Sequence, residues 1–233
     1  MLDRAGCLAN DRFIRQYQEW INPILARDLE LKTTSRPSRI VDMGVGPGFL
    51  SRALARRFPE ATVIGVDINP AMLDLARDNL AGRPEAQRIE LVKQDVHALS
   101  FEDRYADVVI SWSCYHHWAD PVRGLAECWR ILRPGGVLSI FDVEPSPEMI
   151  PYLQANLSDP EIAGILVKSL REAVPQQVVG EHARAAGIVG FEIKPFELDM
   201  AAVLDCIDEI EEPARVSEPS PVNSIAWALT ARR

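Results

Sequence analysis

The chain has 233 residues, of which 47% are hydrophobic, and its 34 acidic and 25 basic side chains give a formal net charge of −9. This length and composition predict one globular domain over residues 1–233, and no apolar run approaches the length of a membrane span. The acidic charge repels phosphate groups, which disfavours nucleic acid as a partner.

The first 35 residues are predicted to be helical. Apolar side chains recur at helical spacing between positions 10 and 30, namely Phe13, Tyr17, Trp20, Ile21, Ile24 and Leu25. Asn22 and Pro23 interrupt this stripe, and a proline inside a helix removes a backbone hydrogen bond. We therefore expect either two helices or one kinked helix before the first strand.

Three glycines at alternate positions follow the first predicted strand, which ends at Asp42. They are Gly44, Gly46 and Gly48. Glycine lets a backbone turn tightly and approach a ligand without a Cβ atom in the way. A dinucleotide-binding fingerprint has its third glycine three places after the second, and that position holds Phe49. The spacing therefore argues against a nicotinamide dinucleotide.

Predicted strands and helices alternate through the central part of the chain. The later strands are predicted at 62–67, 89–94, 106–111 and 137–143. Asn69 can cap the helix that Pro70 starts. After a helical segment at 144–176, we expect a helix at 178–187 and strands at 189–197 and 223–231. This alternation predicts an α/β fold, a doubly wound parallel sheet that binds ligands at the carboxyl ends of its strands.

The D-x-G-x-G-x-G spacing from Asp42 to Gly48 resembles the first motif of the class I S-adenosylmethionine-dependent methyltransferases. Residues 38–145 also resemble the later motifs of that family in their order and spacing. The resemblance implies a mostly parallel, seven-stranded sheet whose last strand is antiparallel and lies between the fifth and sixth strands. It also implies that S-adenosylmethionine is the cofactor.

The resemblance further implies which residues bind the cofactor. Asp67 would accept hydrogen bonds from the ribose hydroxyls, Asp95 and Val96 would hold the adenine, and the Ser111 carbonyl would meet the methionine amino group. The complete implied set is Asp42, Met43, Gly44, Gly46, Gly48, Asp67, Ile68, Met72, Asp95, Val96 and Ser111. Three of these acids have structural alternatives. Asp42 could hold the loop from a buried position, Asp67 could sit at a helix start, and Asp95 could be a turn residue.

The segment after the fourth strand, Tyr115-His116-His117-Trp118, contains the main candidates for catalysis. Histidine can accept a proton near neutral pH, so His116 and His117 are candidate bases, together with Tyr17. The alternative is that the two histidines only shape the cofactor pocket, as the resemblance implies. A metal site made of Cys114 and these histidines is not expected, because adjacent side chains rarely converge and a fourth ligand is missing.

Two segments could cover the site, and a third carries charge. In the resembled family, an N-terminal helical region such as 1–35 often forms a lid, and 144–176 enters at the same end of the sheet. Each could instead be a packing element. An acidic segment runs from 197 to 218 and contains Glu197, Asp199, Asp205, Asp208, Glu209, Glu211, Glu212 and Glu218. It could be a solvated surface or a docking surface.

These observations predict a methyltransferase that passes the methyl group of S-adenosylmethionine to a small molecule by in-line displacement. The alternatives are a protein of this fold that binds the cofactor without methyl transfer, and a nicotinamide-dependent oxidoreductase. Four scattered cysteines and an N-terminus unlike a signal peptide predict a reducing, cytoplasmic location. No membrane partner is expected, and the oligomeric state stays open.

Overall fold

A computed structural model describes residues 2–196, 200–209 and 226–233. Within these residues the strands are β1 (Arg39–Met43), β2 (Thr62–Asp67), β3 (Ile89–Lys93), β4 (Ala106–Trp112), β5 (Leu132–Val143), β6 (Glu192–Phe196) and β7 (Ala226–Arg232). The helices are α1 (Arg4–Tyr17), α2 (Asn22–Lys32), α3 (Phe49–Arg57), α4 (Pro70–Leu80), α5 (Pro121–Ile131), α6 (Met149–Asn156), α7 (Pro160–Glu172), α8 (Gln176–Ala185) and α9 (Met200–Asp205).

The strands form one sheet in the order β3-β2-β1-β4-β5-β7-β6. Strands β1 to β5 pair in parallel, and β7 runs antiparallel to both β5 and β6. This confirms the doubly wound sheet and the predicted place of the last strand. The strand order reverses at β1, which lies between β2 and β4, so the expected ligand crevice opens at the carboxyl ends of these strands.

Helices cover both faces of the sheet because the strands are apolar on both sides. Ile40 packs with apolar residues of α2 and α3, whereas Val41 and Met43 pack on the opposite face with α5 and α8. All three side chains are fully buried. Each such burial contributes about 1.5–3 kcal/mol to folding, so the two layers hold the carboxyl edge of β1 in a fixed position.

The N-terminal helical region is split as predicted. A turn of 3-10 helix, Glu19–Ile21, separates α1 from α2, and Pro23 lies in the first turn of α2, where its missing N–H costs nothing. Asn69 also caps α4 as predicted, because its side chain accepts a hydrogen bond from the Ala71 N–H and Pro70 begins the helix.

Several predicted boundaries were wrong. Strand β5 begins at residue 132 instead of 137, because the residues before Gly135 and Gly136 pair with β4 as well as the residues after them. Helix α8 ends two residues early, and Gly187 and Gly190 adopt left-handed backbone angles that delay β6 until residue 192. Strand β7 begins at residue 226, and positions 223–225 lie outside the described residues.

The segment 144–176 contains the helices α6 and α7, which pack against α1. Phe13 of α1 shares a buried cluster with Leu153 of α6 and with Ile162 and Leu166 of α7. The acidic segment is described only in part. Asp205 pairs with Arg27 and Glu209 pairs with Arg57, while Glu197, Asp199, Glu211, Glu212 and Glu218 lie outside the described residues.

Candidate functional site

The backbone of the turn at the end of β1 favours glycine at three positions, and at Gly44 the surroundings also leave no room for a side chain. Gly44, Gly46 and Gly48 have φ angles of 75°, 52° and 88°, which are left-handed values that favour glycine. A Cβ atom on Gly44 would lie 2.2 Å from the Cys114 Sγ atom in the loop after β4. The turn therefore brings its backbone against the loop that follows β4.

Asp67, at the tip of β2, connects this turn to the start of α4. Its two carboxylate oxygens accept hydrogen bonds from the Asn69 N–H (2.8 Å) and from the Gly46 N–H (3.2 Å). Burial raises the pKa of Asp67, and these main-chain donors oppose the rise. Ile68 beside it is 45% exposed, and Met72 is buried. Asp67 thus has the geometry of a helix-start acid, and its role in ribose binding stays a prediction.

Asp42 is buried beneath the turn. Its carboxylate accepts a hydrogen bond from the Ser51 hydroxyl of α3 at 2.7 Å. Burial raises the pKa of Asp42 to about 7, and the negative charge of Asp67 adds to the rise. Asp42 therefore makes the structural contact that was one of its two predicted roles, because its side chain links β1 to α3.

Met43 and Ser111 join the tips of β1 and β4. The Ser111 hydroxyl donates a hydrogen bond to the Met43 carbonyl at 2.8 Å, and both side chains are fully buried. Asp95 caps its own turn, accepting from the His97 N–H at 2.9 Å, and its ring contact with His97 also lowers the pKa of Asp95. Val96 packs half-buried on the core. Their contacts with a cofactor stay predictions.

His116 is the most completely enclosed of the predicted catalytic residues. Its side chain is 1% exposed, and its Nδ1 atom lies 2.7 Å from an Asp142 oxygen. Asp142 also accepts hydrogen bonds from the main-chain N–H groups of His116 (2.9 Å) and Val143 (2.7 Å). Asp142 was not among the residues predicted from the sequence. Its one signal was an acid inside the apolar run that ends β5.

The other two catalytic candidates have different surroundings. His117 is half-exposed, and its Nδ1 atom lies 3.0 Å from Glu172 of α7. Desolvation of the ring and the charge on His116 lower the pKa of His117. The Tyr17 hydroxyl accepts a hydrogen bond from Gln16 at 3.0 Å, and its ring packs with Phe13 at the interface of α1 with α6 and α7. The structure therefore brings the two histidines together and places Tyr17 at the interface of α1 with α6 and α7.

Helix α1 is linked to the glycine turn through Asn79 of α4, a contact that the sequence did not reveal. The Asn79 amide of α4 donates to Asp11 of α1 at 2.9 Å and to the Pro47 carbonyl of the turn at 3.0 Å. Arg15 of α1 donates to Asn79 at 2.6 Å and stacks over the Phe49 ring at 4.7 Å from its centroid. These polar contacts link the N-terminal helix to the site.

Two kinds of feature are absent from the described residues. They contain no group of three or more His, Cys, Asp or Glu side chains arranged to hold a metal ion. In the same part of the chain, no helix combines the length and the apolar character needed to cross a bilayer.

Comparison with known proteins identifies the central segment. Residues 41–140 match the family model described as "Methyltransferase domain". Over 122 residues the chain is 34% identical to the demethylmenaquinone methyltransferase of Thermus thermophilus, covering 52% of this chain and 54% of that protein. The match spans about half of the length of the curated relatives.

Solved structures extend the likeness to nearly the whole chain. An S-adenosyl-L-methionine-dependent methyltransferase from Methanococcus maripaludis superposes with a TM-score of 0.70 at 23% identity, covering 98% of this chain and 92% of that one. The plantazolicin methyltransferase BpumL, solved with SAH, gives a TM-score of 0.73 at 12% identity, with 97% and 89% covered. At these identities the likeness establishes the fold.

Proposed function

We propose that the chain is a class I S-adenosylmethionine-dependent methyltransferase and that it transfers a methyl group from S-adenosylmethionine to a small-molecule acceptor. The match of residues 41–140 to a methyltransferase domain supports this proposal. The named relative from Thermus thermophilus acts on demethylmenaquinone, a small molecule. The acidic net charge of −9 supports the same class of acceptor, because it disfavours nucleic acid.

One observation carries the proposal. The left-handed glycine turn and the Asp67 carboxylate meet at the carboxyl edge of the sheet, where the strand order reverses. A turn without Cβ atoms gives an extended ligand room beside the backbone, and a carboxylate at the tip of β2 can accept hydrogen bonds from both ribose hydroxyls. The residues present therefore fit S-adenosylmethionine, with Ile68, Met72, Asp95, Val96 and Ser111 completing the proposed pocket.

The cofactor supplies an electrophilic methyl group on a sulfonium ion. What the chain would add is alignment of the acceptor and exclusion of water from the site. Helix α1 and the helices α6 and α7 pack together over this end of the sheet, and we assign them the role of a cover, with Tyr17 at their interface. The four free cysteines support a reducing compartment, which we take to be the cytoplasm.

Turnover with labelled cofactor tests the proposal. The protein is incubated with methyl-labelled S-adenosylmethionine and a small-molecule extract, and labelled product and S-adenosylhomocysteine are both measured. We expect both to form, Asp67→Ala to lower the rate, and Asp74→Ala, an exposed acid of α4 paired with Arg77, to keep it. A protein that binds S-adenosylhomocysteine tightly but transfers no label would instead be a binding protein of this fold.

A further inference from the structure

The His116 ring holds one nitrogen that the protein leaves without a partner. Its Nε2 atom is buried and has no hydrogen-bond partner among the described residues. Buried polar atoms in proteins are nearly always hydrogen-bonded, so an orphan atom needs a ligand or water to satisfy it. The Nδ1 atom of the same ring is held by Asp142. The protein thus fixes the Nδ1 atom and leaves the Nε2 atom available to a ligand or water.

The contacts of Asp142 determine which nitrogen carries the proton. The two oxygens of Asp142 accept hydrogen bonds from two main-chain N–H groups, so both oxygens act as acceptors. A carboxylate accepts hydrogen bonds and donates none, so the His116 Nδ1 atom must carry a hydrogen. In the neutral ring the Nε2 atom then has a free lone pair. Asp142 therefore orients His116 as a proton acceptor at Nε2.

The residues next to His116 and Asp142 contact both expected halves of the site. Cys114, two residues before His116, packs against Gly44 of the glycine turn. On the other side, His117 contacts Glu172 of α7, and Val143, next to Asp142, packs into the cluster formed by α1, α6 and α7. His116 lies between the turn proposed to hold the cofactor and the helices proposed to cover the acceptor.

The neighbouring groups are less suited to accept a proton. Burial raises the pKa of the Cys114 thiol to about 12, so the thiol stays protonated. The Tyr115 hydroxyl is bonded to His182 of α8 at 2.8 Å, and burial raises its pKa as well. Desolvation and the charge on His116 lower the pKa of His117 to about 4, and the Nδ1 atom of His117 is engaged by Glu172 of α7. Four titratable groups surround His116. They are Asp142 on β5, Cys114 and His117 in the same loop as His116, and Glu172 on α7.

We propose that His116, oriented by Asp142, is the general base that removes the proton from a hydroxyl acceptor. This inference rests on the proposed function and names its substrate class, a hydroxyl-bearing small molecule. As the oxygen–methyl bond forms, the carbon–sulfur bond breaks and its electron pair stays on sulfur. The hydroxyl proton moves to the His116 Nε2 atom, where the Asp142 carboxylate stabilises the resulting imidazolium. His116 is the catalytic residue, and Asp142 is a positioning residue.

Three matched acceptors test the inference, namely phenol, thiophenol and aniline, which differ in the atom that attacks. With phenol, we expect the rate to rise with pH to a plateau, as general-base catalysis requires. His116→Gln should lower that plateau by about 10²–10⁴-fold, and Asp142→Asn by a factor between about 10 and 10⁴. Thiophenol, which ionises far more readily than phenol, should lose much less in both variants. His182→Gln, a matched histidine control, should keep the pH profile.

A second measurement needs no acceptor. Long-range ¹⁵N NMR of the S-adenosylhomocysteine complex should show His116 with its proton on Nδ1 above neutral pH, and Asp142→Asn should abolish this preference. A proton on Nε2, a tautomer unaffected by Asp142→Asn, or equal phenol rates in the wild type and His116→Gln would overturn the inference. Transfer to thiophenol or aniline but not to phenol would overturn it too, while leaving the proposed function intact. Failure to bind S-adenosylhomocysteine would instead defeat the proposed function.

Discussion

Individual residues at the carboxyl edge combine close contact with unfavourable backbone angles, and Gly44 does so most clearly. Its φ angle is 75°, and the space that a Cβ atom would need is filled by Cys114. A left-handed angle costs a non-glycine residue roughly 1–2 kcal/mol, and a clash adds to that cost. The chain also contains Gly82, which has the same φ of 75°, but a Cβ atom added there would meet nothing within 4 Å. A comparison of the two glycines therefore separates the cost of the backbone angle from the cost of the clash.

We expect Gly44→Ala to destabilise the protein more than Gly82→Ala does. Gly82→Ala should cost only the backbone term of roughly 1–2 kcal/mol, whereas Gly44→Ala should also displace the loop that carries Cys114. Urea unfolding of both variants gives the comparison. Equal losses would mean that the loop after β4 moves aside freely, and that the contact does not fix the edge.

Asp42 should make stability depend on pH. Its pKa is raised in the folded protein from 3.8 to about 7, so the folded state holds this proton more tightly than the unfolded state does. Its contribution is fully present below about pH 4 and is lost as pH rises to about 7, at about 1.4 kcal/mol for each unit of difference between the two pKa values. Asp42→Asn, which cannot ionise, escapes this loss.

The stability of Asp42→Asn relative to the wild type should therefore rise between pH 4 and pH 7 and stay constant above that range. Urea titrations of both proteins at several pH values measure the difference. Parallel stability curves across this range would show that the carboxylate is stabilised by contacts which outweigh its burial.

At the scale of elements, helix α1 is held to the site by few polar contacts. Asn79 of α4 makes two of them, with Asp11 and with Arg15, and it also bonds the Pro47 carbonyl of the glycine turn. A further contact, just before the first residue of α1, joins the Asn69 amide to the Leu2 carbonyl at 2.9 Å. Helices held in this way open at a lower free energy than the core does, which suits a cover that must admit ligands.

We expect Asn79→Ala to speed hydrogen exchange in α1 and to weaken binding of S-adenosylhomocysteine, mainly through faster dissociation. Asn156→Ala is the control, because the hydrogen bond of Asn156 within the described part of the chain goes to the Tyr152 carbonyl of α6. Hydrogen-exchange mass spectrometry with and without ligand measures both effects. Unchanged exchange in α1 on ligand binding would make this helix a packing element.

For the whole molecule, local patterns predicted the fold well. The glycine spacing, the acid at the end of β2 and the alternation of strands depend on neighbouring residues, so the sequence displays them directly. Pairings between distant residues could not be predicted in the same way. Asp142 lies 26 positions from His116, and Asn79 lies 68 positions from Asp11. Such contacts depend on how the elements pack, and periodicity does not report packing.

The same contrast between local patterns and distant contacts applies to the predicted site residues. Asp42, Asp67 and Asp95 each make the structural contact that was the alternative to ligand binding. These contacts fix the side chains and leave their cofactor roles as predictions. For His116 the structure adds a partner, Asp142, that distinguishes it from His117 and Tyr17. Asp142 lies 2.7 Å from the ring because β5 packs beside the loop that carries His116.

Calorimetric binding of S-adenosylhomocysteine to the wild type and to Asp67→Ala tests the central claim most directly. We predict micromolar affinity for the wild type, about −7 to −8 kcal/mol. Asp67→Ala should lose about 1.5–3 kcal/mol, the size expected for hydrogen bonds to a charged group, and Asp74→Ala should lose nothing. Binding unchanged by Asp67→Ala, or tight binding of NAD in its place, would contradict the assignment of the carboxyl edge as an S-adenosylmethionine site.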